Sequence, residues 1–254
     1  FLLDKSLYQG FKPVLWSTVE KTALADAEVE YLDHLSNTIY TAFKVKNTDK
    51  QFLKDANIII WTTTPWTIPA NKALAYNSNI DYSLIEIENT DFFDKSKIVV
   101  ATKLLDSFIS SCKIKKFKEL KTFKGDEFKK TICNHPLVKL GFKHEVPMLN
   151  ANFVNLDQGS GILHCAPSHG HDDFNLCLKN NIPSKYTVDD SGRYTKEIPY
   201  FDNLHIFKAD KEVIQKLKDE KMLISSDKLQ HSYPHSWRSK APLIYRATPQ
   251  WFIS

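Results

Sequence analysis

The segment that most constrains this chain is Trp61-Thr62-Thr63-Thr64-Pro65-Trp66-Thr67-Ile68-Pro69-Ala70-Asn71, which follows the apolar run Ile58-Ile59-Ile60. The apolar run reads as a buried strand. Pro65 and Pro69 fix φ and remove two backbone donors, so the segment cannot continue as an ordinary central strand. The expected result is a stiff, bent ledge of hydroxyls at a strand end, made by Thr62, Thr63, Thr64 and Thr67 with the carboxamide of Asn71. Each hydroxyl both donates and accepts, which suits a ligand composed of sugar hydroxyls, an ester carbonyl and a water. A Ser/Thr turn or a helix cap accounts for the same residues, because Thr before Pro often serves that way. The residues of this segment leave both readings open.

A chain of 254 residues can bury a sizeable core and fits one large domain, or one domain with appendages. Its 42% hydrophobic and 25% charged residues argue against disorder. With 34 Lys and Arg against 30 Asp and Glu, the basic excess is compatible with an anionic partner but does not diagnose one. Cys112, Cys133, Cys165 and Cys177 are widely spaced, with no CxxC pair. A reduced, cytoplasmic setting without a zinc site is expected from them. No apolar run reaches transmembrane length, and Phe1-Leu2-Leu3-Asp4-Lys5 has no signal-peptide pattern, so no membrane partner is expected. The first residue is not Met, which suggests a piece of a longer protein.

Alternation predicts half-exposed strands over Ala27–Tyr31 and Ser83–Glu88, and Lys97–Ala101 reads as a third strand. A short helix is expected over Lys103–Ser110, with Leu104, Leu105, Phe108 and Ile109 at helical spacing. Gly159-Ser160-Gly161 signals a tight turn into a strand over Ile162–Ala166, which Pro167 stops. Further helices are expected from Asp172-Asp173 onward and from Asp210 to about Lys221, the latter burying Val213, Ile214 and Leu217. Many short strands and few helices imply a mainly β, α+β, barrel-like fold with short helices outside. Residues 1–20 and 225–254 hold Trp16, Trp237 and Trp251 but no obvious core of their own. They read as stems of an inserted domain, with termini near each other.

His164-Cys165-Ala166-Pro167-Ser168-His169-Gly170-His171-Asp172-Asp173 is the second chemistry-bearing stretch. A zincin helix is broken by Pro167 and Gly170, and a deaminase-type site lacks its CxxC partner, so no metal is expected here. Asp172 or Asp173 could cap the following helix, and His164 could be a satisfied core residue. A strand-end His with a carboxylate beyond a turn also suits capture of an ammonium group. Together with the hydroxyl ledge, such an anchor describes a site for an aminoacyl ester.

These residues closely resemble the editing insertion of isoleucyl-tRNA synthetases, class I enzymes. The resemblance runs through Lys12–Ser17, Thr22–Tyr31, the Thr-rich segment, Gly159–Asp173 and Trp237–Arg246. Valyl and leucyl relatives typically carry an Arg in the Thr-rich segment (TTRPET or TTRPDT), where Thr64-Pro65-Trp66-Thr67 stands here. An editing domain of those relatives is the alternative within the family. The resemblance implies an N-terminal stem at 1–34, an editing domain at 35–224 and a C-terminal stem at 225–254. It implies hydrolysis of valine misattached to the isoleucine tRNA, with isoleucyl-tRNA spared. Thr62, Thr63, Thr64, Thr67 and Asn71 would then hold the terminal adenosine, the ester and the attacking water. Asp173 would bind the α-ammonium group, and His164 would line the side-chain pocket. No residue stands out as a strong general base, so positioning of a water and the neighbouring ribose hydroxyl would carry the chemistry.

The partners implied are the 3′ end of the isoleucine tRNA carrying valine and the remainder of the parent synthetase; the piece itself is expected to be monomeric. The HIGH and KMSKS signatures are absent, so ATP and magnesium would belong to the parent and no cofactor is expected in this piece. Ser236 and Ser239 stand where some members carry the Cys-Trp-Arg-Cys pair of a zinc knuckle, which argues against zinc there. Ser168 replaces the commoner glycine of the family's APGHG turn, and His171 stands at a variable position. Between Lys113 and Lys130, eight lysines face Glu119, Asp126 and Glu127. That stretch is either a phosphate contact or a solvated charged face. Two other functions remain as rivals, a non-catalytic module binding the tRNA acceptor end and a metal hydrolase built on the histidine cluster.

Overall fold

Ile58, Ile59 and Ile60 are fully buried and form the middle of a strand that ends where the threonines begin. In the computed structural model, which describes residues 6–88 and 95–253, this strand is one of thirteen. In chain order they are β1 (Leu7–Ser17), β2 (Thr22–Ala23), β3 (Val29–Asn47), β4 (Asn57–Thr62), β5 (Ala73–Tyr76), β6 (Asp81–Glu88), β7 (Lys95–Ala101), β8 (Phe117–Lys124), β9 (Ile132–Asn134), β10 (Glu145–Asn150), β11 (Leu163–Cys165), β12 (Leu223–Ser236) and β13 (Ile244–Ile253). The helices are α1 (Leu105–Ser111), α2 (His171–Lys179) and α3 (Ile206–Asp219). The fold is mainly β with short helices, as expected. The first five residues, used above for the signal-peptide reading, lie outside the described residues.

The chain divides into two compact units. One comprises Ser36–Cys165 and Phe207–Leu229, the other Phe1–Leu35, Ala166–Ile206 and Gln230–Ser254. In the first unit the strands follow the order β11-β5-β10-β9-β3-β4-β7-β6-β8, with β12 also pairing with β3. β11 and β4 are five places apart in this order, which in a flat sheet would separate them by about 24 Å. They are nevertheless in contact, so the sheet curls back on itself while its ends, β11 and β8, stay unjoined. It is barrel-like without being closed. Ile59 and Tyr40 pack with Ile85, Ile98, Val100 and Phe108 on one face. Full burial of each such side chain contributes about 1.5–3 kcal/mol.

The second unit is built on the antiparallel pairing of β1 with β13, in register from Leu7↔Ile253 to Trp16↔Ile244. The two end segments therefore lie side by side. Their core, not visible in those segments, comes from the middle of the chain, since Val188, Tyr194, Ile198 and Phe201 are buried along with Trp16, Leu243 and Ile244. The buried Arg246 guanidinium stacks 4.2 Å from the Trp16 ring and donates through Nε to Val188 O. A knuckle also forms here. The Glu20 carboxylate accepts from Ser236 Oγ (3.1 Å), from Ser239 N–H (3.1 Å) and from Ser17 Oγ. Burial raises the Glu20 pKa, but the hydrogen bonds from Ser239 and Ser236 outweigh it and the net shift is downward. This hard-oxygen set, with no thiolate, is a poor zinc knuckle.

Several elements differ from expectation. Ala27 and Glu28 belong to a 3₁₀ turn (Asp26–Glu28), and the strand starts at Val29. β6 is largely buried, not half-exposed, because both of its faces are covered: Ile85 and Ile87 cluster with Leu105 and Phe108 of α1, Tyr82 on the other face meets the rings of Phe123 and Phe128, and Ser83 finds Thr102 and Glu119 as hydrogen-bond partners. β11 is only three residues long. α2 begins at His171, with Gly170 at its cap, and Leu178 points outward, 61% exposed. α3 begins at Ile206, one turn earlier than expected. No helix of the described residues is long and apolar enough to cross a membrane.

Candidate functional site

Beyond β4 the chain turns through Thr63 and Thr64 into a buried 3₁₀ helix, Pro65–Ala70, with Pro65 at its first position where a missing N–H costs nothing. The threonines make local turn bonds and also meet one another. Thr62 Oγ1 accepts from Thr64 N–H (3.1 Å), a side-chain turn, and Thr67 Oγ1 donates to Thr64 O (2.8 Å). The hydroxyls also form a chain, with Thr62 Oγ1 3.1 Å from Thr64 Oγ1 and Thr64 Oγ1 3.4 Å from Thr67 Oγ1. It ends on His164 Nε2, 2.9 Å from Thr67 Oγ1. A hydroxyl carries one hydrogen, and that of Thr67 goes to Thr64 O. His164 must therefore donate, which sets its Nε2–H form. Thr62 and Thr67 are buried, whereas Thr63, Thr64 and His164 are half-buried and open the chain to solvent. The Thr63 side chain makes no hydrogen bond among the described residues.

Three residues that the sequence reading missed hold this ledge in place. His135 is buried, accepts Leu137 N–H on Nδ1, and so donates from Nε2 to Ile68 O (2.9 Å). Desolvation by burial keeps its pKa well below the usual imidazole range. His144 Nε2 donates to Asn71 O (2.8 Å). Asn71 itself is fully buried and donates to Ala73 O (2.9 Å), while its Oδ1 is a buried acceptor without a partner among the described residues. Asp210 on α3 accepts the Trp66 N–H (2.9 Å), supplying an acceptor to the first turn of the 3₁₀ helix from across the fold. A carboxylate 144 residues away carries no local signal of this role.

Burial raises the Asp210 pKa from 3.8 to about 6, against the lowering effect of the Trp66 N–H and Asn37. The folded chain thus holds this proton more tightly than the unfolded chain. Stability falls as pH rises from near 4 to near 6, and above that the ionised form costs about 3 kcal/mol. Asp210→Asn keeps an acceptor for Trp66 and removes the charge. It is expected to flatten the pH dependence of Tm across that window and to leave Tm at pH near 7.5 unchanged or higher. Thermal unfolding of both proteins as a function of pH checks this.

Asp173 lies in the other unit, in the first turn of α2, where its Oδ2 accepts Ala166 N–H (2.8 Å). The helix dipole favours a carboxylate there. In the same unit His169 donates from Nδ1 to Tyr245 O (2.8 Å) and accepts on Nε2 from Thr187 Oγ1 (2.9 Å). Burial, with a lesser effect of Arg246, lowers its pKa to about 4, so it is neutral near pH 7. Among the described residues no group of three or more His, Cys, Asp or Glu could hold a metal ion.

A cavity of about 320 Å³ opens on the face of β4 opposite Thr62, lined by Trp61, Tyr40, Thr38 and Asp157. Gly159 (φ +83°) borders it, and a Cβ there would lie 3.2 Å from Trp61 Cβ, so only glycine allows the loop this close to the ring. The hydroxyl chain does not line this cavity.

The family described as tRNA synthetases class I (I, L, M and V) matches residues 2–254. The isoleucine–tRNA ligase of Pelagibacter ubique is 64% identical over 254 residues, covering 100% of this chain and 28% of its own length. That of Gluconobacter oxydans is 44% identical, again covering 100% of this chain and 28% of its own length. That of Francisella tularensis subsp. novicida is 43% identical, covering 98% and 26%. The chain thus spans little more than a quarter of these relatives. A solved structure described as the crystal structure of GlLeuRS-CP1 superposes with a TM-score of 0.58 at 11% identity, covering 75% of this chain and 99% of that one. That likeness is one of fold.

Proposed function

The chain belongs to the class I tRNA synthetases of the isoleucine, leucine, methionine and valine group, and from that premise we propose that it is the editing region of an isoleucine–tRNA ligase, hydrolysing the ester of valine misattached to the isoleucine tRNA. The observation that carries this reading is the hydroxyl chain Thr62, Thr64, Thr67 ending on the Nε2–H of His164. A pocket that selects by one methylene gains only about 1–3 kcal/mol, and isoleucine against valine is the standard instance of that limit. A second site that hydrolyses what fits it overcomes the limit.

In this proposal Thr62, Thr63 and Thr64 orient the ester and a water, Thr67 holds the ledge and the terminal adenosine, and His164 bounds the amino-acid side chain; Asn71, expected from the resemblance to touch the adenosine, is fully buried and braces the ledge through Ala73 O instead. Asp173 binds the α-ammonium. His164 is a donor toward Thr67, so the ring is a fixed wall here. The water is activated by orientation and by the ribose hydroxyl beside the ester. The tRNA end carrying valine and the rest of the parent ligase are the partners, and ATP-dependent ligation belongs to sequence outside this chain.

The test is deacylation of valyl- and isoleucyl-tRNA of the isoleucine acceptor type. Asp173→Asn keeps an acceptor for Ala166 N–H and loses the charge, and is expected to slow valyl-tRNA hydrolysis by about 10–100-fold, the worth of one charge-assisted hydrogen bond. Equal rates for the two proteins would remove Asp173 from the site. Tight tRNA binding with no ester turnover by the parent chain would make it a binding module instead.

A further inference from the structure

β8 ends the sheet order, so its outer edge carries no strand among the described residues. Against β6 it runs in register from Asp81↔Lys124 to Leu84↔Lys121, then resumes at Ile85↔Glu119 with Leu120 left over. Side chains alternate along a strand, so Lys121 and Lys118, three apart, would ordinarily point to opposite faces. One extra residue cancels that offset. Lys121 therefore shares a face with Leu84, and Lys118 with Glu86, its cross-strand partner. β7 adds Lys97 opposite Glu86 and Lys95 opposite Glu88 on the same face. The ladder continues to Lys116, whose carbonyl accepts from Glu88 N–H.

Five lysines thus meet two glutamates on one surface. Glu86 is engaged by Lys95 (3.1 Å), while Lys97, Lys116 and Lys118 have no ion-pair partner among the described residues. The Lys121 ammonium sits 3.9 Å from the Phe52 ring centroid, which holds it without neutralising it. Neighbouring lysines are compensated instead, Lys124 by Asp81 (2.9 Å) and Lys130 by Asp49 (3.4 Å). The face runs into a hollow of about 440 Å³ that Lys95 and Lys97 share with Lys44, three lysines against Asp55 and Glu86. Edge strands carry lysines against unwanted strand pairing, but that purpose requires no common face.

We propose that this face, centred on Lys97, Lys118 and Lys121, grips the phosphate backbone of RNA. Phosphates rather than bases are the target, because Phe117 lies on the other face and Phe52 is covered by Lys121. The identification of the RNA as the isoleucine tRNA rests on the editing reading; the phosphate grip does not.

The experiment titrates the chain with uncharged isoleucine tRNA between about 50 and 200 mM salt. In the triple variant Lys97→Gln, Lys118→Gln, Lys121→Gln, the slope of log affinity against log salt is expected to shrink by about two to three. The control pair Lys124→Gln, Lys130→Gln should leave the slope unchanged. An unchanged slope in the triple variant, an equal loss in the control pair, or no salt-dependent binding by the parent chain would overturn the proposal. So would loss of binding to polyglutamate with tRNA binding intact, which would point to an acidic protein partner. A parent chain that binds tRNA with the expected slope but cleaves no ester would refute the editing reading and leave this one standing.

Discussion

Replacing Thr64 and Thr67 together by valine is expected to lower single-turnover deacylation of valyl-tRNA by about 10²-fold, the usual effect of misplacing the reacting groups by about 1 Å. Valine keeps the volume of threonine and takes away only the hydroxyl. The Thr67 hydroxyl links the His164 ring to Thr64 O, and the Thr64 hydroxyl links Thr67 to Thr62. Both losses therefore uncouple the ledge from the imidazole. Leaving Thr64 O and the His164 donor without that partner would also cost stability, by about 1–3 kcal/mol. Tm and rate must be read on the same protein. A rate unchanged in a folded double variant would reduce the threonines to their turn-forming role.

The second large effect concerns selectivity. His164→Ala is expected to raise isoleucyl-tRNA cleavage by about 10–100-fold, the range one methylene can command, while valyl-tRNA cleavage changes far less. A size limit requires a wall that does not move. Here the ring is tied through Nε2–H to Thr67 Oγ1, and that hydroxyl is tied in turn to Thr64 O. Thr67→Val alone, which releases the ring without removing it, should give an intermediate relaxation. Parallel assays with the two charged tRNAs decide the matter; continued rejection of isoleucine by His164→Ala would assign the limit to another residue.

The ledge was legible in the sequence because its causes are local. Ile58–Ile60 set a buried strand, and Pro65 and Pro69 force the departure from it. The glycines at 159 and 161 were legible for the same reason, since both adopt positive φ. What holds the ledge was not legible. Asp210, His135 and His144 meet the segment from 144, 67 and 73 residues away, and nothing in their own neighbourhoods distinguishes them. The core of the second unit was hidden likewise, because Val188, Tyr194 and Phe201, buried in the same unit as Trp16 and Ile244, come from the middle of the chain. The burial of β6 was not legible because alternation distinguishes the two faces of a strand but not what covers each: α1 residues on one, and Phe123 and Phe128 on the other. The roles proposed for the threonines, Asp173 and His164 come from the family resemblance, because hydroxyls and carboxylates beside turns serve local structure as readily as chemistry.

The Glu20 knuckle changes what the fold is sensitive to. A crosslink of four thiolates around zinc would open to chelators, to oxidants and to metal starvation. One made by a carboxylate and three serines is indifferent to all of these. Its weakness lies elsewhere. The carboxylate is held below its ordinary pKa by the bonds it accepts, so its contribution is present at neutral pH and is lost as pH falls through the folded-state value. The link therefore responds to acidity and not to trace-metal supply.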